Sequence, residues 1–491
     1  MKSLLHRILG PRPAPAPSPA PTPEDTVRSE LAAGREPAAL GRVLTDLLGR
    51  ADAAHGRGEH TEAARHAARA LELGGHRVLH FDRYSSPLAQ DPHGFTEPLR
   101  GSAVLRAVAA PRGRSAPAAA PPADRPHRLL LLTRGNANFL PRIRSHFEAR
   151  PDTEVRFVDL AAPLLRTPMA RPERLIEHVL RGSSPPPREL EAGLRPLLDW
   201  ADTVWVEWCT AAAALVTLLD PGTTRVVVRL HRFETFTQWP HLVDFSRVDD
   251  LVFVSGHLRE LTESVLPRLT GPGGPRRHVL PNAVALRGFD RPKKDAARFT
   301  LALVGIGGPV KDPGWAIEVL RLLRAEDPRY RLLLVGKQGD PDVSAATRRH
   351  HDALERELRD PALRDAVHLT GHRDDVAEVL TEVGTLLSSS VCESFHCAVL
   401  EGAASGALPV VRDWPFFAGR PQGARTLFPA DWVVGSPRAA ADRILGATAT
   451  EEGWRAAGAA AAAYTLGRWD WPVVRESYDR LLGLDPARSA D

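Results

Sequence analysis

Lysine is nearly missing from this chain: among 491 residues it stands only at positions 2, 293, 294, 311 and 337. Almost all positive charge is therefore arginine, scattered without runs, and the formal net charge is only +4. Such a balance excludes the basic tail of a nucleic-acid binder, so no nucleic-acid partner is expected. It allows no more than weak peripheral contact with an anionic membrane surface, or with nucleotide phosphates. Cysteine is as scarce. Cys209, Cys392 and Cys397 cannot build a disulfide framework and fit no zinc spacing, which suits small buried thiols in a reducing compartment. No apolar run approaches the roughly 20 residues that span a bilayer, and "MKSLLHRILG" has too short an apolar core for a secretory signal. The expectation is a cytoplasmic protein, reaching at most the inner face of the membrane. An Asp-x-Asp pattern at a strand end is also missing, and no His/Asp cluster has ligand spacing, so no metal is expected.

What the chain does have is length, with 43% apolar and 25% charged residues, enough for two or three soluble domains. Residues 1–25 hold the tract "PRPAPAPSPAPTPED" and are expected to be disordered. Leu4, Leu5, Ile8 and Leu9 oppose Lys2 and Arg7 there, a helix too short to persist in water. Residues 26–109 turn helical. "ADAAHGRGEHTEAARHAARALELGG" reads as two helices around Gly56 and Gly58, similar to a lone tetratricopeptide-like hairpin, and residues 26–75 offer a docking surface for a protein partner. Residues 110–126, rich in Ala and Pro, read as a linker. Thereafter strand and helix alternate: runs at 128–133, 153–160, 202–208, 224–230 and 249–255, then at 299–305, 330–336, 366–371, 384–389 and 407–411. This pattern predicts an α/β fold with two doubly wound, Rossmann-like domains facing a cleft.

The densest chemistry lies in "CESFHCAVLEGAASGALPVV" (392–411). Glu393 follows a strand end, and "SFHCAVLEGAAS" has helical periodicity with Ser394 as its cap, which would free the N–H groups of Phe395, His396 and Cys397 for an anion. Glu401 lies about 10 Å further along the axis. That span suits a diphosphate at the helix start, a sugar near Glu393 and a ribose diol beside Glu401. After "FTLALV", the glycines at 305, 307 and 308 let backbone approach a phosphate, and Lys311 adds a point charge. In isolation Lys311 reads first as a solvated residue at a helix start, and Asp312 rules out a Walker loop. "VRLHRFETF" puts His231 past a strand end, facing the cleft or satisfied structurally, with Glu234 sharing in acceptor recognition. "TRGNANF" brings Gly135 and Asn136 toward a ligand, or makes a plain turn.

"SSVCESFHCAVLEGAASGALPVV" resembles the signature of retaining glycosyltransferases of family 4, a GT-B class with a Glu-x7-Glu pattern. The resemblance runs over roughly residues 128–484, taking in "VLPN" (279–282), "LVGIGGPVKD", and "HLTGHRDDVAEVL" with His372 on the nucleobase side. It implies that Glu401 binds the ribose, Glu393 contacts the donor sugar, Lys311 holds the diphosphate and His231 stands near the reacting sugar. Gly135, Gly307, Phe395 and His396 complete the donor site. Residues 127–290 become the acceptor domain, 291–467 the nucleotide-sugar domain, and 468–491 a helix that crosses back. The implied activity is retaining, metal-independent transfer from a nucleotide diphosphate-sugar to a hydroxyl on a glycan, a lipid-linked intermediate or a metabolite. No cofactor beyond that co-substrate is implied. Three departures stand out: Ile306 replaces an Arg, His396 a Gly, and Ala283 a Gly. They keep open a sugar-nucleotide epimerase or a degenerate binding protein.

Overall fold

The computed structural model describes residues 20–182 and 186–485. The amphipathic stretch 1–10 lies outside the described residues, as do the last six residues of the expected terminal segment. The tract expected to be disordered to residue 25 is already helical at Pro23. Helix α1 (Pro23–Ala32) opens with Thr22 Oγ1 accepting the Asp25 N–H at 3.1 Å, while Asp25 accepts the Thr22 N–H. Proline costs nothing at a first helical position, and the reciprocal cap fixes the start.

Helices α2 (Leu40–Gly56) and α3 (His60–Gly74) form the hairpin, turning over Gly58 in the left-handed region. Ala63, Ala64, Ala67 and Ala70 are buried on α3, and these small side chains let its neighbours close up. One neighbour belongs to the first domain: Thr61 donates to Glu177 of the Pro172–Leu180 helix at 2.7 Å. The extension touches the second domain as well. Arg349 donates to the carbonyls of Ala33 and Gly34 at 2.8 and 2.7 Å, Ser344 donates to Asp82 at 2.7 Å, and Arg420 donates to the Ala89 carbonyl. Residues 110–126, read as a linker, form no helix or strand yet are pinned to the first domain. Arg114 donates to the carbonyls of Gly222 and Thr224 at 3.0 and 2.7 Å, and Ala119 N–H to Thr223 O at 2.9 Å.

The first sheet contains β1 (His127–Thr133), β2 (Thr153–Asp159), β3 (Thr203–Glu207), β4 (Arg225–Leu230), β5 (Asp250–Phe253) and β6 (Arg276–Val279). Their order is β2-β1-β3-β4-β5-β6, all parallel. The second holds β7 (Thr300–Val304), β8 (Arg331–Val335), β9 (Val367–Gly371), β10 (Thr385–Ser388), β11 (Leu408–Arg412) and β12 (Val433–Val434), in the order β12-β11-β10-β7-β8-β9 and again parallel. Leu129 to Leu132 and Val226 to Val228 are fully buried. Helices cover both faces of such sheets, which is why these strands read as continuous apolar runs. Two strands escaped the sequence reading. β6 is a mostly exposed, arginine-rich edge, and β12 has only two residues.

Each sheet reverses its winding once, between β1 and β3 and between β7 and β10. Ligands of open α/β sheets bind beyond the strand carboxyl ends at such points. The last helix, Trp471–Leu482, lies on the first sheet: Trp471, Val474, Tyr478 and Leu481 share a core with Leu129, Leu131 and Trp205. Tyr478 donates its hydroxyl to Pro281 O at 2.6 Å, and buried Asp479 meets His146 at 2.8 Å and Arg150 at 3.2 Å.

Candidate functional site

At the second sheet's switch point, β7 is followed by Gly305, whose φ of +85° turns the chain toward Lys311. Only glycine adopts that conformation without strain. Opposite, a Cβ on Gly339 would strike the Gly307 carbonyl, whereas a Cβ on Gly307 itself would sit 3.7 Å from Lys337 O, an ordinary contact. The requirement for glycine thus falls on Gly305 and Gly339 rather than on Gly307. Ile306 is 3% exposed and belongs to the core with Trp315 and Leu332, so a charged residue there would point away from the cleft.

Lys311 ends a short turn, Pro309–Lys311, and its Nζ donates to Glu393 Oε1 at 2.5 Å. Asp312 has a φ of +43° and caps the next helix by accepting the Trp315 N–H, while pairing with Arg412 at 2.6 Å. Glu393 Oε1 also accepts from Ser390 Oγ at 2.7 Å. Burial works to raise the Glu393 pKa, but His396, Lys311 and Arg232 outweigh it and hold the carboxyl well below its usual range. Burial keeps the His396 pKa down at about 4, so near neutrality the cationic field comes from Lys311 and Arg232. Oε2 has no partner among the described residues.

The helix expected from Ser394 begins instead at Cys397 (Cys397–Ala404), with His396 at its cap and in the left-handed region at a φ of +62°. Its ring nitrogen Nδ1 lies 2.8 Å from Ser388 Oγ. This conformation suits the Gly that the resemblance implies and costs a histidine about 1 kcal/mol. The first-turn donors therefore belong to Cys397 and Ala398, since the Val399 N–H already goes to His396 O at 3.1 Å. Phe395 is 1% exposed, its ring edge-on to Trp469, so only its backbone can serve a ligand. Glu401 is half-buried and makes no side-chain hydrogen bond among the described residues, and burial alone pushes it up to about 7. His372 is exposed beyond β9, within 3.3 Å of Asp374.

On the first sheet, Gly135 (φ +79°) donates its N–H to Asp159 at 2.8 Å. His231 is buried beneath Phe139 and Trp208, with ring centroids 4.7 and 4.2 Å away. Its Nε2 lies 2.7 Å from Glu207 Oε1, and its Nδ1 is buried without a partner. Burial lowers the His231 pKa despite that carboxylate. Trp208 itself has a φ of +71° and donates its indole N–H to Asn136 O at 2.9 Å. For so bulky a residue this is strain of the kind that marks functional sites. Glu234, expected at the acceptor, is fully buried instead. It accepts the N–H groups of Cys209 and His231 at 2.9 and 3.2 Å, and burial raises it to about 8.

The two halves meet at the segment that carries Glu393. Arg232 donates to Cys392 O at 3.2 Å, His257 Nε2 lies 3.0 Å from Glu393 O, and Asn282 Nδ2 reaches Cys397 Sγ at 3.5 Å. Behind them Arg229 joins Asn282 to Glu207. The sequence reading missed Glu207, Arg229, Ser390, Arg232 and His257. A signal existed for the first two, charges inside otherwise apolar buried strands, since such charges are almost always paired. Among the described residues no group of three or more His, Cys, Asp or Glu is placed to hold a metal, and no helix is long and apolar enough to cross a membrane. The arrangement can bind an anion at Lys311 and the helix start, and hydroxyls at the two glutamates.

Residues 298–446 match the family described as Glycosyl transferases group 1. No curated protein matches the chain. Among solved structures, Anabaena HepE in complex with UDP aligns at 13% identity over 73% of this chain and 99% of its own, with a TM-score of 0.54. A glycosyltransferase from Rickettsia africae aligns at 11% identity over 73% of this chain and 98% of its own, with a TM-score of 0.51. S. aureus TarM aligns at 13% identity over 60% of this chain, with a TM-score of 0.47, and this chain spans only 57% of it.

Proposed function

Because residues 298–446 form a Glycosyl transferases group 1 domain on a GT-B fold, we propose that the protein transfers a sugar from a nucleoside diphosphate-sugar to a hydroxyl acceptor, with retention at the anomeric carbon. The observation that carries this reading is the Lys311–Glu393 contact at the β7/β10 switch point, beside the start of the Cys397–Ala404 helix. Lys311 and the helix N-terminus would stabilise the departing diphosphate electrostatically, without a metal. Glu393 would hold the sugar through its unpartnered Oε2, and Glu401 would accept the ribose hydroxyls. Glu207 fixes the ring of His231, whose unpartnered Nδ1 suits a sugar or acceptor hydroxyl. HepE structures hold UDP and UDP-glucose, which makes uridine nucleotides the first to try. We propose the cytoplasm as its compartment, reaching at most the inner face of the membrane.

The test is a thermal-shift panel of nucleotide-sugars, since a ligand that binds only the folded state raises the melting temperature. At least one should do so, and Lys311→Ala should weaken that ligand about tenfold to a hundredfold. Glu393→Gln should abolish transfer while the nucleotide still binds. Activity lost to excess chelator would refute the metal-free step, and an inverted product would refute retention.

A further inference from the structure

We propose that Arg232 is a second anion-binding residue of the nucleotide-sugar site, reaching the diphosphate from the opposite domain; this rests on the transferase reading above. Arg232 directly follows His231, and its guanidinium crosses the cleft to donate to Cys392 O, one residue before Glu393, at 3.2 Å. A guanidinium has five N–H donors. Among the described residues they meet this carbonyl and the Cys392 thiol, and no carboxylate lies within ion-pair distance. The residue is half-buried, and none of its nitrogens is both buried and unpartnered, so the donors beyond these contacts reach solvent.

Three neighbouring cations are already committed. Arg412 is held by Asp312 at 2.6 Å and Arg229 by Glu207 and Asn282, while Lys293 is tied to Leu380 O and Ser405. That leaves two point charges, Lys311, shared with Glu393, and the exposed Lys337 beyond β8, against a diphosphate that brings two. An arginine fork is the natural complement, because it binds phosphate oxygens in pairs where a lysine offers one point. Ile306, turned into the core, cannot take this part.

Arg232 is also propped from behind. Its guanidinium lies 5.6 Å over the ring of Phe81, which stacks on Phe233 at 5.4 Å. Phe81 belongs to the helical extension, so that element positions a binding residue.

The experiment titrates the full chain with UDP and UMP, or with the pair of whichever base the thermal-shift panel selects. Arg232→Met should weaken the diphosphate about tenfold while leaving the monophosphate within about twofold, the share expected for a charged hydrogen-bonding partner. Arg232→Lys, which keeps the charge and loses the fork, should fall between, and it carries the test if Arg232→Met fails to fold. Phe81→Leu should reduce the preference for diphosphate in the same direction. Equal loss for both nucleotides, or none for either, overturns the proposal. So does a loss confined to UDP-glucuronate, which would assign Arg232 to a sugar carboxylate instead. A wild-type chain that binds no nucleotide overturns the transferase reading, and this one with it.

Discussion

A carboxylate without a partner, half-buried on a helix, prefers to keep its proton, and burial pushes Glu401 up to about 7 from an ordinary 4.5. The unfolded chain releases that proton first. Stability from the protonated form is therefore complete below about pH 4.5 and lost as pH rises through about 7. Glu401→Gln should melt higher than wild type at pH 8, by roughly 1–3 kcal/mol, and no differently at pH 4. On the proposed ribose-binding role, ligand affinity should run the opposite way, rising with pH through about 7, because only an ionised carboxylate accepts from two hydroxyls. Melting curves and titration calorimetry across pH 4–8 check both slopes. At this scale Glu393, Glu401 and Lys311 could be picked out from motif and spacing. The Glu207 partner of His231 could not, since it depends on a neighbour distant in the chain.

Helices near the site are fitted as closely as its residues. A Cβ on Gly402, within the Cys397–Ala404 helix, would approach Leu386 of β10 to 2.5 Å. Gly402→Ala, a change that favours an open helix, should therefore destabilise by about 1–3 kcal/mol and weaken nucleotide binding by lifting the helix off the sheet. Gly446, in the Pro437–Thr448 helix, has nothing within 4 Å of its Cβ position. Gly446→Ala should stabilise by about 0.5–1 kcal/mol and leave binding alone. Urea unfolding with an unchanged slope separates the two. Apolar runs made the eight inner strands legible, because a strand covered on both faces must be apolar throughout. The edges β2 and β9 showed only shorter apolar stretches between breakers. β6 and β12 were not legible, one being a charged edge and the other too short to show a pattern. The start of the Cys397–Ala404 helix was misplaced because Ser394 looks like a cap, while the chain makes its turn at His396.

Across the whole molecule, the halves are tied by elements that leave one and return to the other. Asp479 on the last helix is buried against His146 and Arg150 of the first domain. Asp479→Ala, which strips Arg150 of a buried partner, should cost about 3 kcal/mol and loosen both halves. Thermal unfolding should show one lowered, broadened transition where the wild type gives a sharper one. The alternation of strands and helices exposed this two-part plan. The pinned course of residues 110–126 stayed hidden, since an Ala/Pro-rich stretch reads as a spacer whether or not its backbone is tethered.

The extension contacts both halves, through Thr61 to Glu177 on one side and through Ala33, Gly34 and Asp82 to Arg349 and Ser344 on the other. Anyone building a chimera to change substrate preference could not treat residues 300–446 as an interchangeable cassette. A transplanted second half would have to bring matching side chains for those seams, or the front of the protein would have to travel with it.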